Sequence, residues 1–201
     1  IVRMTSRKNR PPALSPLGLV GLLLLISSPG LATGGWPTYR ADIARTGAAD
    51  AAIGPELSLG WTYRPSHPPR PAWPPPSEEL PRMHVDNAFH VAVADDTVYF
   101  GSSVTDQVHA VDVMSGEVRW SFTAEGPVRF APTVISGRVY FGSDDGCVYC
   151  LAADSGQLQW KHRAGPSDER VIGNGRVISL WPVRTSVLVD RGTVYFTAGI
   201  F

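Results

Sequence analysis

Val-Tyr-Phe-Gly-Ser at 98–102 returns at 139–143, and Val-Tyr-Phe returns once more at 194–196. After each of the first two copies comes an alternating apolar run, a Ser-Gly pair and a segment that ends in tryptophan: V-D-V-M-S-G-E-V-R-W at 111–120 and L-A-A-D-S-G-Q-L-Q-W at 151–160. Trp120 to Trp160 is a period of 40 and Tyr99 to Tyr140 one of 41, the length of a four-stranded propeller blade. Within the second unit, short apolar runs predict strands at 131–135, 138–143, 147–152 and 157–162. Ser-Gly and Asp-Gly pairs sit at the turns between them, where left-handed backbone costs glycine nothing. The expectation is an all-β chain of four-stranded antiparallel blades packed face to face. Many short strands would also suit a sandwich, but sandwich strands do not repeat in sequence at blade length.

Segments 88–122 and 129–163 read as whole blades, 57–63 matches only a last strand around Trp61, and 184–201 supplies the first two strands of another. A propeller closes with about four to eight blades. The chain therefore reads as an incomplete β-propeller, an N-terminal piece with two full blades and a partial blade at each end. Two insertions interrupt the period. Residues 64–81 contain eight prolines, so they predict an extended polyproline surface loop that cannot join a ladder. The other, 163–183, stretches the spacing from Tyr140 to Tyr195 to 55.

With 43% hydrophobic and 18% charged residues, the chain has material for a packed core, which excludes a disordered or collagenous reading. Residues 1–34 read as a signal peptide: Arg7, Lys8 and Arg10 precede an apolar run at 17–26, and small residues around 30–34 suit cleavage. That run is too short to span a bilayer, so no membrane span is expected after cleavage and the destination is extracytoplasmic, periplasmic or secreted. Cleavage removes four of the 18 basic residues and none of the 18 acidic ones. The mildly acidic remainder argues against a nucleic-acid partner, which requires a clustered basic face.

The segment Ala110-x-Asp112-x-x-Ser115-Gly116-x-x-x-Trp120 resembles the A-x-D-x-x-T-G-x-x-x-W repeat of pyrroloquinoline-quinone (PQQ) type propellers. That family includes the quinoprotein alcohol dehydrogenases and the outer-membrane assembly propeller. W-P-T-Y-R-A-D-I-A-R-T-G at 36–47 is similar to the start of mature secreted members, so the resemblance covers most of 36–201. The second copy departs from the pattern at Cys150 and Ala152, and Ala152 removes the turn carboxylate. The resemblance implies that Trp61, Trp120 and Trp160 dock blade to blade. It also implies a secreted scaffold that binds a ligand or protein, or alternatively a PQQ-dependent alcohol dehydrogenase with PQQ as cofactor. The binding reading ranks first, because the calcium ligands, catalytic aspartate and vicinal cysteine pair of the dehydrogenases match no position here.

The remaining candidates each carry a structural reading beside the functional one. Cys147 and Cys150, the two cysteines of the chain, lack the second pair of ligands a zinc site needs. Three apart on a strand they point to opposite faces, so packing cysteines are expected and no metal is assigned. His84, Asp86 and His90 have even spacing that would share one face of a strand, as a polar rim or a metal site. Asp144-Asp145 resembles a calcium fragment but suits a hairpin turn. Arg129 and Arg184 each lie 11 residues before a repeat tyrosine, within Pro-Val-Arg, so both enter equivalent first strands. Together with Trp181, Asn174 and Arg176 they form the predicted site for a small anionic ligand or a protein. The alternative is that they pin the long loop.

Overall fold

The computed structural model describes residues 2–5, 35–49, 53–74 and 86–200. Among them every element is a strand. The first full blade is β2 (Val91–Ala94), β3 (Thr97–Gly101), β4 (Gln107–Asp112) and β5 (Val118–Thr123). The second is β6 (Thr133–Ile135), β7 (Arg138–Gly142), β8 (Cys147–Ala152) and β9 (Leu158–Arg163). Each pairs antiparallel in sequence order as a four-stranded sheet. A third unit begins with β12 (Leu188–Asp190) and β13 (Thr193–Phe196), and β13 also pairs with β1 (Val2–Thr5). The architecture is an unclosed β-propeller.

Two expected strands differ. Over 57–63 no strand forms, because the segment has no ladder partner among the described residues. Strand β6 starts at Thr133 rather than 131, since Pro132 has no N–H to give to a ladder. The insertion after the second blade is not a simple loop but a hairpin, β10 (Arg170–Gly173) and β11 (Arg176–Ser179). Its two-residue turn has φ of 45° at Asn174 and 75° at Gly175, the doubly positive backbone that Asn-Gly favours and that matches strand twist.

The core lies between sheets. Tyr99, Val108 and Ala110 of the first blade meet Val139, Phe141, Tyr149 and Leu151 of the second. Tyr140, Val148 and Cys150 face the other way, onto Val187, Val189, Val194 and Phe196. Strand β8 is thus covered on both faces, which is why Cys-Val-Tyr-Cys-Leu is apolar throughout rather than alternating. Cys147 belongs to one interface and Cys150 to the other; both thiols are free. Burial pushes the Cys147 thiol up to about 11 and raises that of Cys150 as well.

Successive blades meet at two joints. At the outer one, the Trp120 indole donates to the Ala153 carbonyl at 2.9 Å, with its ring against Gly156. Trp61 does the same one blade earlier, donating to Val113 at 2.8 Å over Gly116. Trp160, half-buried, packs against the second interface at 5.9 Å from Tyr140. The turn that receives Trp120 keeps its backbone bonds despite Ala152: Gly156 N–H donates to the Ala152 carbonyl at 2.9 Å, as Gly116 does to Asp112. At the inner joint, Val128 lies over Gly101 and Val183 over Gly142, where a Cβ would sit 2.4 and 2.3 Å from the valine side chain. Each Pro-Val-Arg segment therefore enters the next blade across a glycine of the last.

Candidate functional site

This inner joint delivers both arginines to one carboxylate. Asp144 occupies the β7–β8 turn and is fully buried. Arg129 Nε donates to its Oδ2 at 2.8 Å, while Arg184 donates from Nε to Oδ1 at 3.0 Å and from Nη2 to Oδ2 at 3.1 Å. Arg129 also donates from Nη1 to Asp86 Oδ2 at 2.8 Å and to the Arg70 carbonyl at 2.6 Å. The side chains of Arg129 and Asp86 are 5% and 6% exposed. Two guanidinium charges thus meet two buried carboxylates, in surroundings where an unpaired partner would cost several kcal/mol.

A cleft of about 240 Å³ opens beside this cluster, lined in part by Trp73, Phe130, Arg184, Thr185 and Thr197. The aromatic surface under Arg184 is Trp73, with the guanidinium carbon 5.2 Å from the ring centroid. Of the residues predicted from the sequence, Arg129 and Arg184 meet at Asp144, Asn174 reaches the same proline-rich stretch that Arg129 holds, and Trp181 and Arg176 lie elsewhere. Trp181 packs its side chain on Gly165, with its carbonyl near Gly146, and does not line the cleft. Arg176 is held by Asp106 at 2.5 Å and the Val104 carbonyl at 3.2 Å. Asn174 Nδ2 donates to the Pro71 carbonyl at 2.9 Å. Arg176 and Asn174 therefore fix the hairpin against the first blade and the proline-rich insertion.

Asp86, expected within a one-face triad, accepts from Arg129 and from the Ala72 amide instead. His90 stacks on Phe130 at 5.4 Å, residues 86–90 form no strand, and His84 lies outside the described residues. Among the described residues no group of three His, Cys, Asp or Glu converges as a metal set. Asp145 is a turn residue, accepting from the Cys147 amide at 2.8 Å and from the Tyr149 hydroxyl. Sequence reasoning missed Asp144 as the hub and Trp73 as the stacking ring. The available signal for Asp144 was that the first blade has Ser103 at the same repeat position, after the shared Gly-Ser.

The repeat geometry has a counterpart in known proteins. The profile of the family described as outer membrane protein assembly factor BamB, a PQQ-repeat family, matches residues 61–196. The chain belongs to this PQQ-repeat propeller family. As a member, it is 29% identical over 199 residues to the 1-butanol dehydrogenase (cytochrome c) of Thauera butanivorans, an alignment covering 89% of this chain and 26% of the relative. The quinohemoprotein alcohol dehydrogenase of Comamonas testosteroni superposes with a TM-score of 0.54 at 19% identity, over 82% of this chain and 27% of that one. BamB of Moraxella catarrhalis gives a TM-score of 0.43 at 19% identity, over 54% and 33%. The chain thus spans about a quarter of the dehydrogenases it matches.

PQQ, the group these dehydrogenase relatives bring to mind, is a planar tricarboxylate. It would need guanidinium forks free to receive carboxylates. Here Arg129 is buried with Nε and both Nη atoms engaged, and Arg184 turns its fork onto Asp144. The described residues do not fit PQQ at this place.

Proposed function

We propose that this chain is part of an extracytoplasmic PQQ-repeat propeller that works as a protein-binding scaffold, with its contact face on the side carrying the β10–β11 hairpin. The observation that carries this reading is an exposed apolar pair on a fixed support. Ile172 and Val177 oppose each other across the hairpin ladder and are 81% and 62% exposed. The hairpin beneath them is pinned by Arg176 to Asp106, by Asn174 to Pro71 and by the Ser179 amide to the Asp144 carbonyl. Apolar surface on a preorganised element favours association, because little conformational freedom is lost on binding. The assembly-factor description of the matching family supports the same class of partner. A small anion suits the site less well, since the cluster's own carboxylates already neutralise Arg129 and Arg184. An extracytoplasmic location rests on residues 1–34 acting as a cleaved signal, whose removal would take β1 from the edge of β13; N-terminal sequencing of the exported protein tests this directly.

The 29% identity to 1-butanol dehydrogenase across most of the chain supports a second reading, a PQQ-dependent oxidoreductase. In that case PQQ would supply the redox chemistry from blades beyond those described. One experiment separates the two. The whole protein, supplied with PQQ and calcium, is assayed for alcohol-dependent dye reduction, and its partners are captured in parallel by cross-linking. The scaffold reading expects no turnover, and it expects Ile172→Asp with Val177→Asp to weaken partner capture about tenfold or more with unchanged melting. Turnover with alcohol and capture indifferent to the double substitution would reverse the ranking.

A further inference from the structure

The proline-rich insertion does not behave as a loop laid over the surface. From Arg70 to Ala72 it offers five backbone polar groups, Pro71 having no N–H, and four of them meet a named side chain. Arg70 N–H donates to Ser103 Oγ at 2.8 Å, the Arg70 carbonyl accepts from Arg129 Nη1 at 2.6 Å, and the Pro71 carbonyl accepts from Asn174 Nδ2 at 2.9 Å. Ala72 N–H donates to Asp86 Oδ2 at 2.8 Å, and Ala72 itself is 5% exposed. Trp73 follows under the Arg184 guanidinium. Arg70 is exposed, where water could serve its backbone, yet groups from the first blade, the second blade, the hairpin and the third unit converge on this one stretch. That pattern is how a protein reads an extended peptide: main-chain groups are bonded in series and alternate side chains are pocketed. Prolines keep the peptide stiff and lower the entropy lost on binding.

We propose that the inner end of these blades is a binding site for an extended proline-rich peptide with an aromatic residue two positions after a proline, and that residues 68–74 occupy it in cis. The inference rests on the scaffold reading and names the chemistry of its partner. Ser103, Arg129, Asn174 and Arg184 are the reading groups. The segment P-P-R-P-A-W-P is the internal ligand, which a similar segment from another chain displaces or replaces.

The test replaces residues 68–74 by a Gly-Ser stretch of equal length in the whole protein and titrates a fluorescein-labelled peptide of residues 66–76. The replaced protein is expected to bind saturably. Wild type should bind on the order of 10- to 100-fold more weakly, because a tethered competitor acts at an effective concentration on the order of mM. Adding Asn174→Ala to the replaced protein should weaken binding roughly fivefold through loss of one hydrogen bond. A folded replaced protein that ignores the peptide overturns the proposal, as does equal binding by wild type, or by a peptide whose prolines are all alanine. Should the replacement prevent folding, Ala72→Glu puts a bulky carboxylate beside Asp86, expels the segment from its buried seat and is read by the same titration. Loss of peptide binding with partner capture at Ile172 and Val177 intact would sink this inference and leave the scaffold reading in place.

Discussion

A tryptophan lying on a glycine is the smallest unit that explains how these blades hold together. Gly156 has φ of 69°, and a Cβ there would come within 2.6 Å of the Trp120 ring. Gly156→Ala should therefore cost about 2–4 kcal/mol, combining left-handed strain with overpacking. Gly137 has φ of 70° but nothing within 4 Å of its would-be Cβ, so Gly137→Ala should lose only about 1–2 kcal/mol. Urea titration of the two variants measures the difference, and equal losses would show that the ring contact contributes nothing. Asp144→Ala leaves Arg184 without a carboxylate and Arg129 with Asp86 alone, and should cost about 3–5 kcal/mol. Burial holds both thiols well above neutral pH, so iodoacetamide at pH 7.5 should label Cys147 and Cys150 in denaturant but not in the folded protein. Mass spectrometry reads this, and labelling of the native chain would contradict the placement. The cysteines' opposed faces were legible from period two alone, and the twin arginines from their common distance to a repeat tyrosine. Their shared partner was not, because a carboxylate that serves two repeats leaves no spacing of its own.

Among elements, the hairpin shows where repeat-based reading loses information. Val-Ile-Gly-Asn-Gly-Arg-Val-Ile at 171–178 carries a strong hairpin signal, and the Asn-Gly turn is visible in the sequence. The flanking strands fall outside the 40-residue period and so carry no repeat signal. The four-stranded blades were legible because turn residues, apolar runs and terminal tryptophans agree with one another, whereas 57–63 keeps the blade's tryptophan but has no partner strand among the described residues. Arg176 ties the hairpin to Asp106 through a part-buried pair, and charge-assisted bonds of this kind contribute roughly 1.5–3 kcal/mol. Arg176→Met should accordingly speed amide exchange across Arg170–Gly173 and Arg176–Ser179 about tenfold or more. Amides of β7 and β8 should be unchanged, and a uniform change across both would mean that the hairpin and the blades open together.

At the scale of the whole molecule, the same two joints recur between units, one tryptophan on glycine and one valine on glycine, so stability is expected to accumulate neighbour by neighbour. Gly116→Ala and Gly156→Ala damage successive outer joints and share no side-chain partner. Their losses should add to within about 0.5 kcal/mol in urea unfolding of the double variant; a large deficit would reveal strain passed from joint to joint. Asp144 breaks this uniformity. It takes the arginine that leads into its own blade and the one that leads into the next, while the first blade answers with Ser103, whose hydroxyl receives Arg70. Copies that look interchangeable in sequence therefore carry ordinal numbers. Exchanging the first and second blades would set a serine between two cations and a carboxylate against a peptide amide, so the two blades cannot trade places without rewriting their inner turns.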